Sequence, residues 1–228
     1  AGWNMISSYV VPENTNIVDI YSPVVDNLKI AKNGYGLMYV PAYSINTIEN
    51  WNVLDGYLVN MLQSGTLTIN GYQIVPEETT IPLSNGWTLA PYLRNNPMYA
   101  PTAFESIADN LVIAKDNFGG VYVPLYGINT IGYLEPTYGY YLNVNTESNL
   151  VYPSNSAQKG SVIESITPNP KHLVPPVGRT GNSATLILQI DAPNGYEVGV
   201  YNSDNVLIGS GYVQNNVVAV CLWGDNSI

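Results

Sequence analysis

Asp26-Asn27-Leu28-Lys29-Ile30-Ala31-Lys32-Asn33-Gly34-Tyr35-Gly36-Leu37-Met38-Tyr39-Val40-Pro41-Ala42-Tyr43-Ser44-Ile45-Asn46-Thr47-Ile48 returns about 83 residues later. The second copy is Asp109-Asn110-Leu111-Val112-Ile113-Ala114-Lys115-Asp116-Asn117-Phe118-Gly119-Gly120-Val121-Tyr122-Val123-Pro124-Leu125-Tyr126-Gly127-Ile128-Asn129-Thr130-Ile131. Fifteen of the 23 aligned positions are identical, without a gap. Gly56-Tyr57 falls in register with Gly139-Tyr140, and Gly2-Trp3 matches Gly86-Trp87 with one inserted residue. A period this long exceeds one solenoid turn and suits a small domain-like module. The identities fall on turn and strand positions alike, so the two copies are expected to superpose.

Composition narrows the class. The chain has 228 residues, of which 46% are hydrophobic and only 11% charged, against roughly 25% charged in ordinary soluble domains. Its polar surface therefore comes from Asn, Ser, Thr, Gln and Tyr. There are 19 tyrosines and two phenylalanines. Tyrosine suits half-exposed strand positions, with an apolar ring and a wet hydroxyl. The net charge is −10, and the basic residues are scattered. No basic stripe is present to hold a phosphate backbone, so nucleic acid is not an expected partner. No apolar run approaches the roughly 18 residues of a membrane helix, so membrane insertion is not expected either. No signal-peptide pattern opens the sequence, and Ala1 reads as a mature terminus or the edge of a fragment.

Each repeat reads as β-rich with one short helix. Trp3–Ile6 and Trp87–Ala90 start the copies. Leu28–Lys32 and Tyr35–Val40 flank Asn33-Gly34, a hairpin signal, and Asn70-Gly71 predicts another between 67–69 and 72–74. Pro101–Ala108 predicts the helix of the second copy, while Pro23 weakens the corresponding segment of the first. Prolines 153, 168, 170, 175 and 176 mark a linker. Four strands follow, at 185–190, 197–201, 206–210 and 217–222, spaced as an antiparallel meander. The expected fold is thus mainly β. Repeat module 1 covers residues 1–76 and repeat module 2 covers 77–153. A linker at 154–183 leads to a C-terminal β-meander at 184–228, an incomplete β-sandwich.

The order Gly-Trp-Asn-Met-Ile, Asp-Asn-Leu-x-Ile-x-Lys, Gly-x-x-Tyr-x-Pro, Ile-Asn-Thr-Ile and Gly-Tyr resembles a tandem repeat module of large secreted Bacteroidota-type surface proteins and related phage structural proteins. The likeness covers roughly residues 2–153. The tail is similar to a β module that follows such repeats, through Gly195-Tyr196-Glu197-Val198-Gly199-Val200-Tyr201-Asn202, Ile208-Gly209-Ser210 and Trp223-Gly224-Asp225. Two acidic positions of that pattern are Tyr196 and Asn202 here, so any cation role they serve in relatives is not carried over. The similar module continues past Trp-Gly-Asp, so the resemblance implies a truncated last module. It also implies an extracellular location, at a cell or virion surface.

Residues for catalysis are sparse. His172, the one histidine, lies in the linker with no nucleophile elbow nearby. Cys221, the one cysteine, sits inside an apolar strand pattern and reads as a packing residue. Glycosidases need two facing acids. Glu105 and Asp109 lie one helical turn apart, but only Asp109 has an acidic counterpart in the first copy, at Asp26. There is no metal-ligand cluster and no phosphate-binding glycine loop, so no cofactor is expected. Trp3 and Trp87 recur at strand starts, which suggests core positions. Trp51 aligns with Leu134 and reads as apolar packing. Lys32 and Lys115 recur as well. They are either ligand-contacting or cross-linked lysines, or hairpin residues with a packed stem and a head reaching water or a carbonyl, the better-supported reading.

The reading that unites these features is a non-enzymatic extracellular structural or adhesive segment, part of a surface fibre, appendage or viral spike. Its expected partners are other chains or copies of itself. Two alternatives remain: a carbohydrate-binding adhesin module, and an accessory region of a secreted enzyme. Glycan contact would fall on Tyr39, Tyr43, Tyr122 and Tyr126, the tyrosines flanking Pro41 and Pro124. Assembly by strand addition would use Val217, Val218, Val220 and Leu222, because an apolar last strand invites cover from another element, in cis or from a neighbour.

Overall fold

A computed structural model describes residues 1–157, 166–175 and 183–224. The chain is mainly β, built from antiparallel sheets. The first copy contains β1 (Gly2–Ile6), β2 (Val10–Pro12), α1 (Ile17–Tyr21), β3 (Leu28–Asn33), β4 (Met38–Val40), β5 (Ile45–Asn46), β6 (Tyr57–Met61) and β7 (Gly71–Gln73). The second contains β8 (Thr80–Leu83), β9 (Gly86–Pro91), β10 (Met98–Tyr99), α2 (Ala100–Ala103), β11 (Leu111–Lys115), β12 (Val121–Val123), β13 (Ile128–Asn129), β14 (Tyr133–Leu134), β15 (Gly139–Val144) and β16 (Ser148–Val151). One five-stranded sheet has the order β1-β6-β3-β4-β5, and the other β9-β15-β11-β12-β13. Matching strands occupy matching places in both. Even the irregularity recurs: the register shifts between Leu28 and Ile30 in one sheet and between Leu111 and Ile113 in the other.

The repeated residues explain the repeated geometry. Asn33 Oδ1 accepts the N–H groups of Tyr35 and Leu37, and Asp116 Oδ1 accepts those of Phe118 and Gly120. These side chains replace backbone partners inside the turn. The positive-φ residue is then Gly36 (+83°) or Gly119 (+89°). The tight two-residue Asn33-Gly34 hairpin is therefore replaced by a longer, side-chain-capped loop. In Ile-Asn-Thr-Ile, Thr47 Oγ1 accepts from Met38 N at 2.8 Å, and Thr130 Oγ1 from Val121 N at 2.7 Å. Asn46 and Asn129 cap the next turn through Glu49 N and Gly132 N.

Two further expectations change. Asn70-Gly71 makes no hairpin; β7 pairs with β2, sixty residues earlier in the sequence. A Cβ on Gly71 would lie 1.9 Å from the Val11 carbonyl oxygen, so this glycine permits a long-range backbone approach. Pro23 does not abolish the first helix either. Asn16 caps α1 through Val18 N and Asp19 N, and Pro23 sits at the start of a separate 3-10 turn, Ser22–Asn27, where no N–H is needed.

Each sheet packs its inner face on its helix. Tyr21, Leu28, Ala31, Tyr39, Trp51 and Tyr57 fill the first core, with Trp51 and Tyr57 stacked at 4.1 Å. Phe104, Leu111, Ala114, Tyr122, Tyr140 and Tyr152 fill the second. β8 and β16 pair beside this second core. Buried Arg94 ties the chain end of this region down: its guanidinium donates to the carbonyls of Pro153 and Ser154 and to Asn96 Oδ1.

The two modules meet through reciprocal contacts. Gly34 of the first abuts Leu89 on β9, while Asn117, its counterpart, donates to the Trp3 carbonyl on β1. Gly56 N donates to Leu89 O, and Gly139 lies against Ile6 O, where Ile6 bridges to Tyr138. Met5, Leu58 and Leu89 are buried together between Trp3 and Tyr141.

The C-terminal strands are β17 (Ser183–Gln189), β18 (Glu197–Tyr201), β19 (Leu207–Tyr212) and β20 (Val217–Trp223). They do not form a meander. β17 pairs with β20, and β18 with β19, in two stacked ladders. Asn202 Oδ1 accepts from Asp204 N and Val206 N and so holds a tight β18–β19 turn, whereas the 190–196 segment crosses between layers. Glycine lets the layers approach: Cβ atoms on Gly209 and Gly211 would lie 2.6 and 2.5 Å from carbonyl oxygens of β20. Val218 and Val220 face β18–β19, while Val217 and Ala219 pack on Ile113, Val121, Val123 and Ile128 of the second module. The last strand is therefore covered on both faces within the chain.

Candidate functional site

Three adjacent strands of the second sheet build the floor of an open cleft. Lys115 on β11 pairs with Tyr141 on β15, and Trp87 on β9 lies diagonally across from Tyr141. The Trp87 and Tyr141 rings meet edge to face at 6.2 Å. The C-terminal unit supplies the opposite wall with Ser183, Leu222 and Trp223, enclosing about 580 Å³. Trp223 sits on the glycine of the second-module turn, where a Cβ on Gly119 would come within 2.9 Å of its ring.

Lys115 sits at the base of this cleft. Its Nζ donates to Ser183 Oγ at 2.9 Å and to Ser183 O at 3.3 Å, and it lies 5.9 Å from the Trp87 ring centre. Burial lowers its pKa, opposed by Cys221 and Asp116. Lys32 stands over Trp3 at 4.9 Å in the first module. The recurring lysine thus belongs with the recurring tryptophan, as a cation over a ring. Neither tryptophan is in the core as expected. Trp3 is half-buried and Trp87 is 54% exposed, because both lie on outer sheet faces. Trp51 does take the predicted apolar position, at 3% exposure.

The four tyrosines do not share one surface. Tyr39 and Tyr122 are the central residues of three-residue strands, so alternation turns them into the core, where they are 5% and 9% exposed. Tyr43 and Tyr126 sit on the following 3-10 turns and are exposed. Val217, Val218 and Val220 are buried inside the chain, and Leu222 is half-buried at the cleft. Glu105 and Asp109 are both exposed. Burial pushes the Cys221 thiol up, opposed by Lys115, which disfavours a thiolate nucleophile. Among the described residues no group of three His, Cys, Asp or Glu side chains is placed to hold a metal ion, and no helix is long and apolar enough to cross a membrane.

His172 has an exposed ring, yet its segment is anchored. Glu197 accepts from the backbone N–H groups of Lys171, His172 and Leu173, from the Tyr212 hydroxyl, and approaches His172 Nδ1 at 2.9 Å. Thr167 ties the same connection to Asn129 and Gln214. Partial desolvation pushes the Glu197 carboxyl up, but the donors from Lys171, Leu173 and His172 outweigh it and hold the pKa at about 2. A depressed carboxyl contributes stability above its unfolded value, lost as pH falls through the folded one. Acid titration followed by hydrogen exchange at 171–173 is expected to show loss of protection between about pH 4.5 and 2. Glu197→Gln should flatten that loss; an unchanged profile would remove Glu197 as its cause.

A scan against protein-family models, a search of curated proteins and a search of solved structures each return no significant match.

Proposed function

We propose that this chain is a non-enzymatic structural segment of an extracellular fibre, appendage or viral spike, in which β units join through the outer faces of repeated sheets. The observation that carries this reading is the seating of β20. Val217 and Ala219 rest on Ile113, Val121, Val123 and Ile128 of the second module. The corresponding residues of the first module are Ile30, Met38, Val40 and Ile45. There Ile45 is 41% exposed, against 1% for Ile128, and neighbouring Leu37 is 42% exposed. One face of a repeated sheet holds a further β unit; on its twin Val40 is buried and Ile30 and Met38 are half-buried, so among the described residues the open part is centred on Ile45 and Leu37. An exposed apolar patch of this kind suits protein contact. The fate of the repeated residues supports the same reading, since they form turns, latches and core. The sequence resemblance to secreted surface-protein and phage repeats supports the extracellular setting.

Light scattering across a concentration series tests the stacking step. The wild-type chain is expected to gain mass above 24.8 kDa as concentration rises, and Ile45→Asp to remain at that mass. Equal association of both proteins, or a monomeric wild type at its solubility limit, would overturn it.

A further inference from the structure

We propose that the cleft between Trp87 and Trp223 binds a neutral saccharide chain. Its volume, about 580 Å³, falls in the roughly 300–1,000 Å³ range of small-ligand sites. Its lining is aromatic: Trp87 and Tyr141, set edge to face at 6.2 Å, together with Trp223. Flat rings that remain partly in water match the apolar C–H face of a pyranose and lose little side-chain freedom on contact. The polar groups at the edge, the Ser183 hydroxyl and the Lys115 ammonium, can meet sugar hydroxyls. A purely apolar ligand would leave both without a new partner.

The electrostatics select for neutrality. Lys115 is one cation, already engaged by Ser183 and by the Trp87 ring. The chain carries a net charge of −10, which disfavours the approach of a polyanion. The first module provides an internal comparison. It repeats the tryptophan–lysine pair as Trp3 and Lys32, but Leu58 stands where the second module has Tyr141. β17 and β20, which bring Ser183 and Trp223, are seated on the second module. The site thus arises from the C-terminal unit docking on one repeat, independently of any assembly between chains.

Titration of the full chain with cellohexaose, chitohexaose, xylohexaose and maltohexaose, read by tryptophan fluorescence and calorimetry, tests this. Saturable binding of at least one is expected. Trp87→Ala and Trp223→Ala should each weaken it by about tenfold or more. Trp3→Ala should leave it within about twofold. Circular dichroism should be unchanged for Trp87→Ala, whose ring is 54% exposed. No binding by any of the four sugars, retained affinity in both cleft variants, or equal loss in Trp3→Ala would overturn the assignment.

Discussion

Arg94→Ala is expected to lower the unfolding free energy by several kcal/mol, because buried acceptors lose charge-assisted hydrogen bonds worth about 1.5–3 kcal/mol each. Arg94 is 1% exposed. Its guanidinium reaches Pro153 O at 2.5 Å, Asn96 Oδ1 at 2.6 Å and the Ser154 carbonyl. None of these acceptors is a carboxylate. Among the described residues the positive charge is held by carbonyl and amide oxygens beside the Tyr92 hydroxyl, with Nε unpartnered, and alanine strands three acceptors while opening a cavity. The same loop closes through Asn95 N to Asn155 Oδ1 and Asn96 Nδ2 to Asn155 O, so the loss should spread to residues 153–155. Arg94→Lys should fall between, because a single ammonium cannot reproduce the fork. Urea unfolding reads the midpoint, and limited proteolysis reads cleavage after 153. A midpoint shared by wild type and Arg94→Ala would show that the buried guanidinium is not a staple.

Trp51→Ala should cost a similar amount, about 3–5 kcal/mol, as large aromatic truncations in cores do. The ring stacks on Tyr57 at 4.1 Å and leans on Tyr21 at 6.3 Å. Trp51→Phe should recover most of that loss. The Trp51 Nε1 is buried without a hydrogen-bond partner, so removing it relieves an unmet donor and offsets part of the lost volume. For a chain of this size, each 1 kcal/mol is worth roughly 2–4 °C in melting temperature. Calorimetry should therefore place Trp51→Ala roughly 6–20 °C below wild type, with Trp51→Phe close to wild type. Equal melting temperatures for the alanine and phenylalanine variants would refute the packing account.

The repeat was readable because its residues act locally. Asn33, Asp116, Thr47 and Thr130 bond to neighbours within about ten positions, and such turns leave a signature in a single sequence. What was not readable depends on distant partners. Asn70-Gly71 carries a strong hairpin signal, but the strand it begins pairs with Val10–Pro12. The C-terminal strands were located correctly, yet alternation cannot tell a meander from two stacked ladders, since both bury the same residues. Recurrence at strand starts suggests core positions for Trp3 and Trp87, yet both lie on outer sheet faces. The outer face is used for contact between units, which no local pattern discloses. The cleft combines residues 87, 115, 141, 183 and 223, and only the recurrence of the Trp and Lys hinted at it.

The exchange of contacts between the repeats, Gly34 on Leu89 and Asn117 on Trp3, has a consequence for growth. The exchange is approximately reciprocal, with Gly56 on Leu89 answered by Gly139 on the adjacent Ile6. An isologous contact of this kind is saturated by two bodies and obeys a local dyad; it cannot propagate. A third repeat appended to the chain would find both patches already taken. Under the proposed fibre reading, growth would proceed by pairs through a heterologous surface between one dyad and the next, so the unit of length would be the doublet and not the single repeat.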